Sequence, residues 1–220
     1  MTKKFLTEFE IQVLNEFVDM DLVPVSRKQP DTENPYHQHF LNYAPQYKKQ
    51  YNSKKVLQDI FSRRSRYGTN LNHHLMGGEA ELVVLKHLNL PLSDYIQNFN
   101  DSLHDNGKGG GDGGKDLLLN GWRLDVKTTP NTQNAFSFPI WYETIQQCCD
   151  FFVFVRYEAK KRTYTILGYA PWEAVKKDWK RFYYEPANKA FLDVNTERLY
   201  DNGYLHTNIN HLRNLTPTQF

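Results

Sequence analysis

Two aspartates and a lysine set around a short turn, Asp116, Asp125 and Lys127, form the grouping in this chain best suited to chemistry. Asp116 leads into an apolar run, Leu117 to Leu119; Asn120-Gly121 follows, and Trp122 to Thr128 (WRLDVKT) returns. Asn-Gly between two apolar runs predicts a hairpin with a two-residue turn. In that register Leu119 pairs with Trp122, Leu118 with Arg123 and Leu117 with Leu124, and Asp116 falls opposite Asp125. Side chains alternate along a strand, so Lys127 shares the Asp125 face while Leu124 and Val126 bury the other. Opposed residues place their Cβ atoms about 5 Å apart, and like charges so placed destabilise the pair. A divalent cation offsets that repulsion, and hard carboxylate oxygens suit magnesium, with manganese as a substitute. The alternative reading makes Asp116 the first residue of a strand and Asp125 an exposed edge residue paired with Lys127. A longer turn would shift the register and make the pairing diagonal.

A third carboxylate comes from the segment GGEAELVVLKHLNL, Gly77 to Leu90, which reads as a helix closed by Pro91. Projected at about 100° per residue, Glu81 falls among Val84, Leu85 and Leu88 and points toward the sheet. Glu79 falls with Lys86 on the opposite face, expected to be solvated. A charge within a core-facing stripe is costly to bury unless it is paired or holds a metal, so Glu81 is the functional candidate. Pairing of Glu81 with a lysine or a backbone group is the alternative.

The order Gly77 to Glu81 on a helix, an aspartate leading into a hairpin, and Asp125-Val126-Lys127 followed by threonines resembles the PD-(D/E)XK nuclease superfamily. The strand after Asp150, its neighbour and the helix from Pro171 look like the rest of that core, so the resemblance spans about Leu75 to Lys180. Two positions depart from the pattern: Lys115 stands where the motif has proline, and Asp125 where glutamate is common. The resemblance implies a restriction-endonuclease-like fold, a mixed β-sheet flanked by helices, and hydrolysis of DNA phosphodiesters. Asp116 and Asp125 would hold one or two magnesium ions, with Glu81 completing the site. Lys127 would help deprotonate the attacking water or stabilise charge on the scissile phosphate. A restriction-type enzyme acting on duplex DNA as a homodimer, of prokaryotic or phage origin, is expected. A structure-specific nuclease for Holliday junctions or repair, and a non-catalytic nucleic-acid-binding protein, are the alternatives.

Several elements must position these groups. Thr7 and Glu10 form a capping-box pattern ahead of Phe9, Val13, Leu14, Phe17 and Val18, predicting a helix over about Thr7 to Met20. A loop is expected from Asp21 to Tyr36 and a second helix over about Ser53 to Arg64, with Val56, Leu57, Ile60 and Phe61 inward. FFVFVRY, Phe151 to Tyr157, reads as a buried strand with TYTILGYA beside it, and Pro171 opens the helix PWEAVKKDWK. Residues 1–70 are expected to be a helical N-terminal extension and residues 71–220 the α/β nuclease core with a C-terminal elaboration.

Charge locates a candidate nucleic-acid surface. From Ser26 to Arg66 there are nine Lys/Arg and three Asp/Glu, whereas the chain's net charge is +2. The excess sits in that window, interleaved with Tyr36, His37, His39, Phe40, Tyr43, Tyr47 and Tyr51. Lys48, Lys49, Lys54, Lys55, Arg63, Arg64 and Arg66 are candidate phosphate contacts; a solvated surface segment is the alternative. Mean hydropathy of -0.70 argues against a membrane protein. Cys148 and Cys149 are adjacent, which fits neither an ordinary structural disulfide nor a CxxC metal pair, and a reducing cytoplasmic compartment is expected. The loop GKGGGDGGK, Gly107 to Lys115, imitates a P-loop but continues into Asp116 and a strand, lacking both the hydroxyl and the helix N-terminus. His73 and His74 lack ligand spacing and are expected at the surface.

Overall fold

The computed structural model describes residues 6–19, 51–62, 71–104, 115–130, 132–133, 135–159, 163–184 and 189–215. The expected loop from Asp21 to Tyr36, the glycine-rich run up to Gly114, and Lys48, Lys49, Arg63, Arg64 and Arg66 lie outside them. Four helices come first: α1 (Glu8–Asp19), α2 (Tyr51–Ser62), α3 (Leu71–His87) and α4 (Leu92–His104). The strands follow as β1 (Leu117–Leu119), β2 (Trp122–Pro130), β3 (Ala135–Pro139), β4 (Phe151–Glu158) and β5 (Thr163–Pro171). Helix α5 (Trp172–Asp178), β6 (Lys180–Tyr184), β7 (Lys189–Asn195), α6 (Thr196–Asp201) and a 3-10 helix at Ile209–Asn214 complete the chain.

Two sheets form. β1-β2-β4-β5 make a mixed four-stranded sheet and β3-β7-β6 a three-stranded one. The fold is therefore mixed α/β, with a mixed sheet flanked by helices. β4 lies parallel to β2, so the chain must cross over one face of the sheet between them. Here the crossover is β3 and a single 3-10 turn, Ile140–Glu143, rather than a long helix.

Both faces of the four-stranded sheet are covered, which explains the nearly unbroken apolar run of β4. Phe151, Val153 and Val155 face the helical layer, and Phe152 and Phe154 face the three-stranded sheet with α5 and α6. On β2 Leu124 and Val126 join the helical side. Leu6, Val13, Leu14, Phe17, Leu57, Ile60 and Phe61 belong to that same core, so α1 and α2 are packed onto the sheet side occupied by α3.

Several local expectations meet the structure directly. The capping box is formed: Glu10 N–H donates to Thr7 Oγ1 at 3.3 Å and Thr7 N–H to Glu10 Oε2 at 2.8 Å. Phe9 departs from the expected apolar stripe and is exposed, its place in the core taken by Leu6. Helix α4 was not expected from the sequence. Its Leu92, Tyr95, Ile96 and Phe99 follow helical spacing, but Pro91 and the polar residues between them disguise it. The helix after Pro171 is shorter than its apolar pattern suggests: Pro171 ends β5 and caps the helix, and Lys180 already belongs to β6.

Candidate active site

The hairpin forms in the expected register, Leu117↔Leu124, Leu118↔Arg123 and Leu119↔Trp122. Asn120 at φ 50° and Gly121 at φ 87° both occupy the left-handed region that a tight two-residue hairpin turn requires. The ladder then stops one residue short of the expected aspartate pair. Asp116 N–H donates to Leu124 O at 2.8 Å instead of continuing the ladder, and Asp116 Oδ2 accepts the Val126 N–H at 2.7 Å. Asp116 is thus not the direct ladder partner of Asp125: its carboxylate replaces a backbone acceptor along β2. Helix α4 fixes this bend, because Asn98 Nδ2 donates to Lys115 O at 3.1 Å and to Asp116 O at 3.2 Å.

Asp125 and Lys127 share a face of β2, as alternation demands. Lys127 Nζ lies 2.5 Å from Asp125 Oδ1. Tyr142, on the 3-10 turn of the crossover, closes a triangle: its hydroxyl donates to Asp125 Oδ2 at 2.9 Å and accepts from Lys127 Nζ at 2.9 Å. The rings of Phe138, Tyr142 and Phe152 surround the ammonium at 5.1 to 5.9 Å from their centroids. Asp125 is 2 % exposed and Lys127 23 % exposed, so the pair opens to solvent on the lysine side.

Burial by itself would lower the Lys127 pKa; the charges of Asp125, Tyr142 and Asp116 outweigh it and hold the ammonium well above its ordinary range. Asp116 therefore acts on the same lysine as Asp125, although the two carboxylates are not ladder partners. A lysine held charged this way is suited to stabilising negative charge. Burial and the neighbouring Asp125 push the Tyr142 phenol up, so it remains a hydrogen-bond donor.

Helix α3 corrects the sequence reading of its two glutamates. Glu79, expected to be solvated, is 2 % exposed, and its carboxylate accepts the Tyr164 hydroxyl of β5 at 2.5 Å. Glu81 is also buried and accepts the Tyr95 hydroxyl of α4 at 2.6 Å. The reason is that Gly78 through Leu85 are buried without a break. α3 packs against α1 and α2 as well as against β2 and β5 of the sheet. At Gly78 an added Cβ would be driven into the Phe61 ring of α2, whereas the Glu79 carboxylate is turned to β5, where Tyr164 holds it.

Among the described residues the buried charged side chains are all carboxylates: Glu10, Glu79, Glu81, Asp116 and Asp125. Asp116 and Asp125 offer hard oxygen donors on the hairpin, and magnesium commonly keeps several waters while using one or two carboxylates; Glu81, held by Tyr95 on the helical side, does not join them in a group of ligand atoms within 4.8 Å of one another. A tighter donor set is also present. Asp125, Cys148 and Cys149 form the one group of at least three His, Cys, Asp or Glu among the described residues whose ligand atoms lie within 4.8 Å of one another. Their adjacency in sequence had argued against a metal role.

Tyr142 and the cysteine pair were missed by sequence reasoning because they reach Asp125 over the crossover, with no local pattern to announce them. Lys54 and Lys55 are exposed on α2, on the helical side of the sheet. His73 is exposed and His74 half-buried in the first turns of α3. No family model matches the chain, and no curated protein or solved structure matches it. No helix among the described residues is long and apolar enough to cross a membrane.

Proposed function

We propose that this protein is a magnesium-dependent endodeoxyribonuclease of the PD-(D/E)XK class, cutting duplex DNA in the manner of a restriction enzyme and working as a homodimer. The observation that carries the reading is the pairing of Asp125 with Lys127 on one face of a hairpin strand, with Asp116 at the hairpin's start acting on the same lysine. Binding alone needs no such arrangement, and the partly exposed Lys127 gives it a side open to solvent.

The donor chemistry fits a hard divalent cation. Asp116 and Asp125 would hold it, and bound magnesium supplies polarisation of a phosphoryl oxygen and a water of lowered pKa. The chain's own residues do the rest. Lys127, held charged, stabilises negative charge on the scissile phosphate. Tyr142 orients Asp125 and Lys127 toward each other, and the rings of Phe138 and Phe152 exclude water from their inner side. Asn98 and the Val126 N–H hold Asp116 at the bend. Two copies of the site, one per strand, account for the homodimer.

Incubation with supercoiled plasmid tests the reading. Linear or nicked product should form with magnesium or manganese, vanish with EDTA, and vanish in Lys127→Ala while circular dichroism reports a folded protein. Failure to cut plasmid, linear duplex and branched DNA would overturn it. Discrete fragments from a defined plasmid support a restriction-type enzyme, whereas cutting confined to branched substrates would replace that assignment with a junction or repair nuclease.

A further inference from the structure

We infer that Cys148, Cys149 and Asp125 form a second, soft-metal site, with zinc(II) as the ion it takes and Asp125 shared with the hard-metal site. Successive side chains in an extended strand point to opposite faces. Two neighbouring thiols therefore converge on one carboxylate only where the backbone departs from a strand, as it does just before β4. Convergence is shown by distance: the three ligand atoms lie within 4.8 Å of one another. Cys149 is fully buried and Cys148 half-buried, so the pair has a closed inner wall and an open outer side.

Two sulfurs and one carboxylate oxygen are a borderline-soft donor set, which zinc accepts in tetrahedral geometry with water in the fourth position. Magnesium and calcium, which take oxygen donors, do not compete for the sulfurs. Binding breaks both S–H bonds, releases the two protons to solvent and forms two zinc–thiolate bonds, with no change of oxidation state. Zinc would also take an oxygen of the Asp125 carboxylate that Lys127 holds at 2.5 Å and Tyr142 at 2.9 Å, so zinc and lysine compete for one carboxylate. Zinc at this site withdraws Asp125 from the arrangement proposed for cleavage. That consequence, unlike the binding itself, rests on the nuclease reading.

Cadmium(II) serves as the spectroscopic stand-in for zinc in a titration of the reduced full-length chain in metal-free buffer. One equivalent should produce the ultraviolet thiolate-to-cadmium charge-transfer band, and added zinc should reverse it. Cys148→Ser should lose about half of the band, and the Cys148→Ser/Cys149→Ser protein all of it. Asp125→Asn should keep the band with weaker binding, and Lys127→Met should bind cadmium more tightly. Thermal melts by circular dichroism confirm folding of each variant, and Cys148, half-buried at the edge of the core, supplies the milder of the two cysteine tests. Absence of a band in the parent chain, or its survival in the double variant, overturns the site. In the cleavage assay, zinc added over magnesium should inhibit the parent chain but spare Cys148→Ser, each measured against its own zinc-free rate. Equal inhibition of both would refute the link to Asp125. A plasmid left uncut without zinc would count against the nuclease reading while the cadmium result still decides the site.

Discussion

The two faces of the four-stranded sheet treat their carboxylates differently. On the helical face Glu79 and Glu81 sit within the stretch of α3 from Gly78 to Leu85 that is buried without a break, and each accepts a short hydrogen bond from a tyrosine hydroxyl, Tyr164 and Tyr95. On the crossover face Asp125 also meets a tyrosine, Tyr142, but the tyrosine is shared with an ammonium 2.5 Å from the carboxylate. The helical face is wrapped by α1, α2 and α4, whereas the crossover face opens at Lys127. Tyrosine clamps alone tie elements together; a tyrosine bridging an acid and a partly exposed lysine also presents charge to whatever approaches. The same hydroxyl–carboxylate contact is thus enclosed on one face and borders a partly exposed ammonium on the other.

Breaking the Asp125–Lys127 pair should have the largest effect. Lys127→Ala leaves a buried carboxylate without its cation, a change that costs about 3–5 kcal/mol in comparable buried pairs; the opening at Lys127 puts the expectation at the lower end. Cleavage should be lost altogether in the plasmid assay. Asp125→Asn with Lys127→Met, measured as a double-mutant cycle in urea, should recover part of the stability and none of the cutting. Full additivity of the two would contradict the coupling seen here.

Tyrosine replacements separate the two faces. Tyr164→Phe leaves the Glu79 carboxylate without its hydroxyl partner and should cost about 1–3 kcal/mol with cleavage retained. Tyr142→Phe should cost a similar amount of stability and, in addition, slow cleavage at saturating DNA. Equal effects of the two on cleavage would abolish the distinction between the faces. Gly78→Ala probes the wrapping of α3: a methyl forced against Phe61 should lower stability by about 1–3 kcal/mol in chemical denaturation.

The smallest effect expected is from pH. Burial alone would raise the Asp150 pKa, but hydrogen bonds and charge from Arg123, whose Nη2 lies 2.9 Å from Asp150 Oδ1, hold it below the ordinary carboxylate value. Its contribution to stability is therefore complete at neutral pH and is lost as pH falls through the lowered folded-state value. Arg123→Gln should remove that part of the acid dependence in melts taken between neutral pH and about pH 3. An unchanged acid limb would show the pair to be inert.

How much of this was legible in sequence depends on the range of the interactions. The hairpin register, its Asn120-Gly121 turn, the Thr7–Glu10 capping box and the sharing of one face by Asp125 and Lys127 all follow from residues within a few positions of each other. Local sterics and alternation decide them, so the amino-acid order determined them by itself. The bend at Asp116, the burial of Glu79 and the arrival of Tyr142, Cys148 and Cys149 at Asp125 were decided by tertiary structure alone. Asp116 leaves the ladder because α4 binds its carbonyl and β2 offers its carboxylate a backbone N–H. Glu79 is dry because α3 packs on the sheet as well as on α1 and α2, and its carboxylate meets Tyr164 of β5, a partner that periodicity does not reveal. Tyr142 and the two thiols reach the site because a parallel pair, β2 and β4, forces the intervening chain across one face of the sheet, and nothing in the local residue pattern says which face that will be.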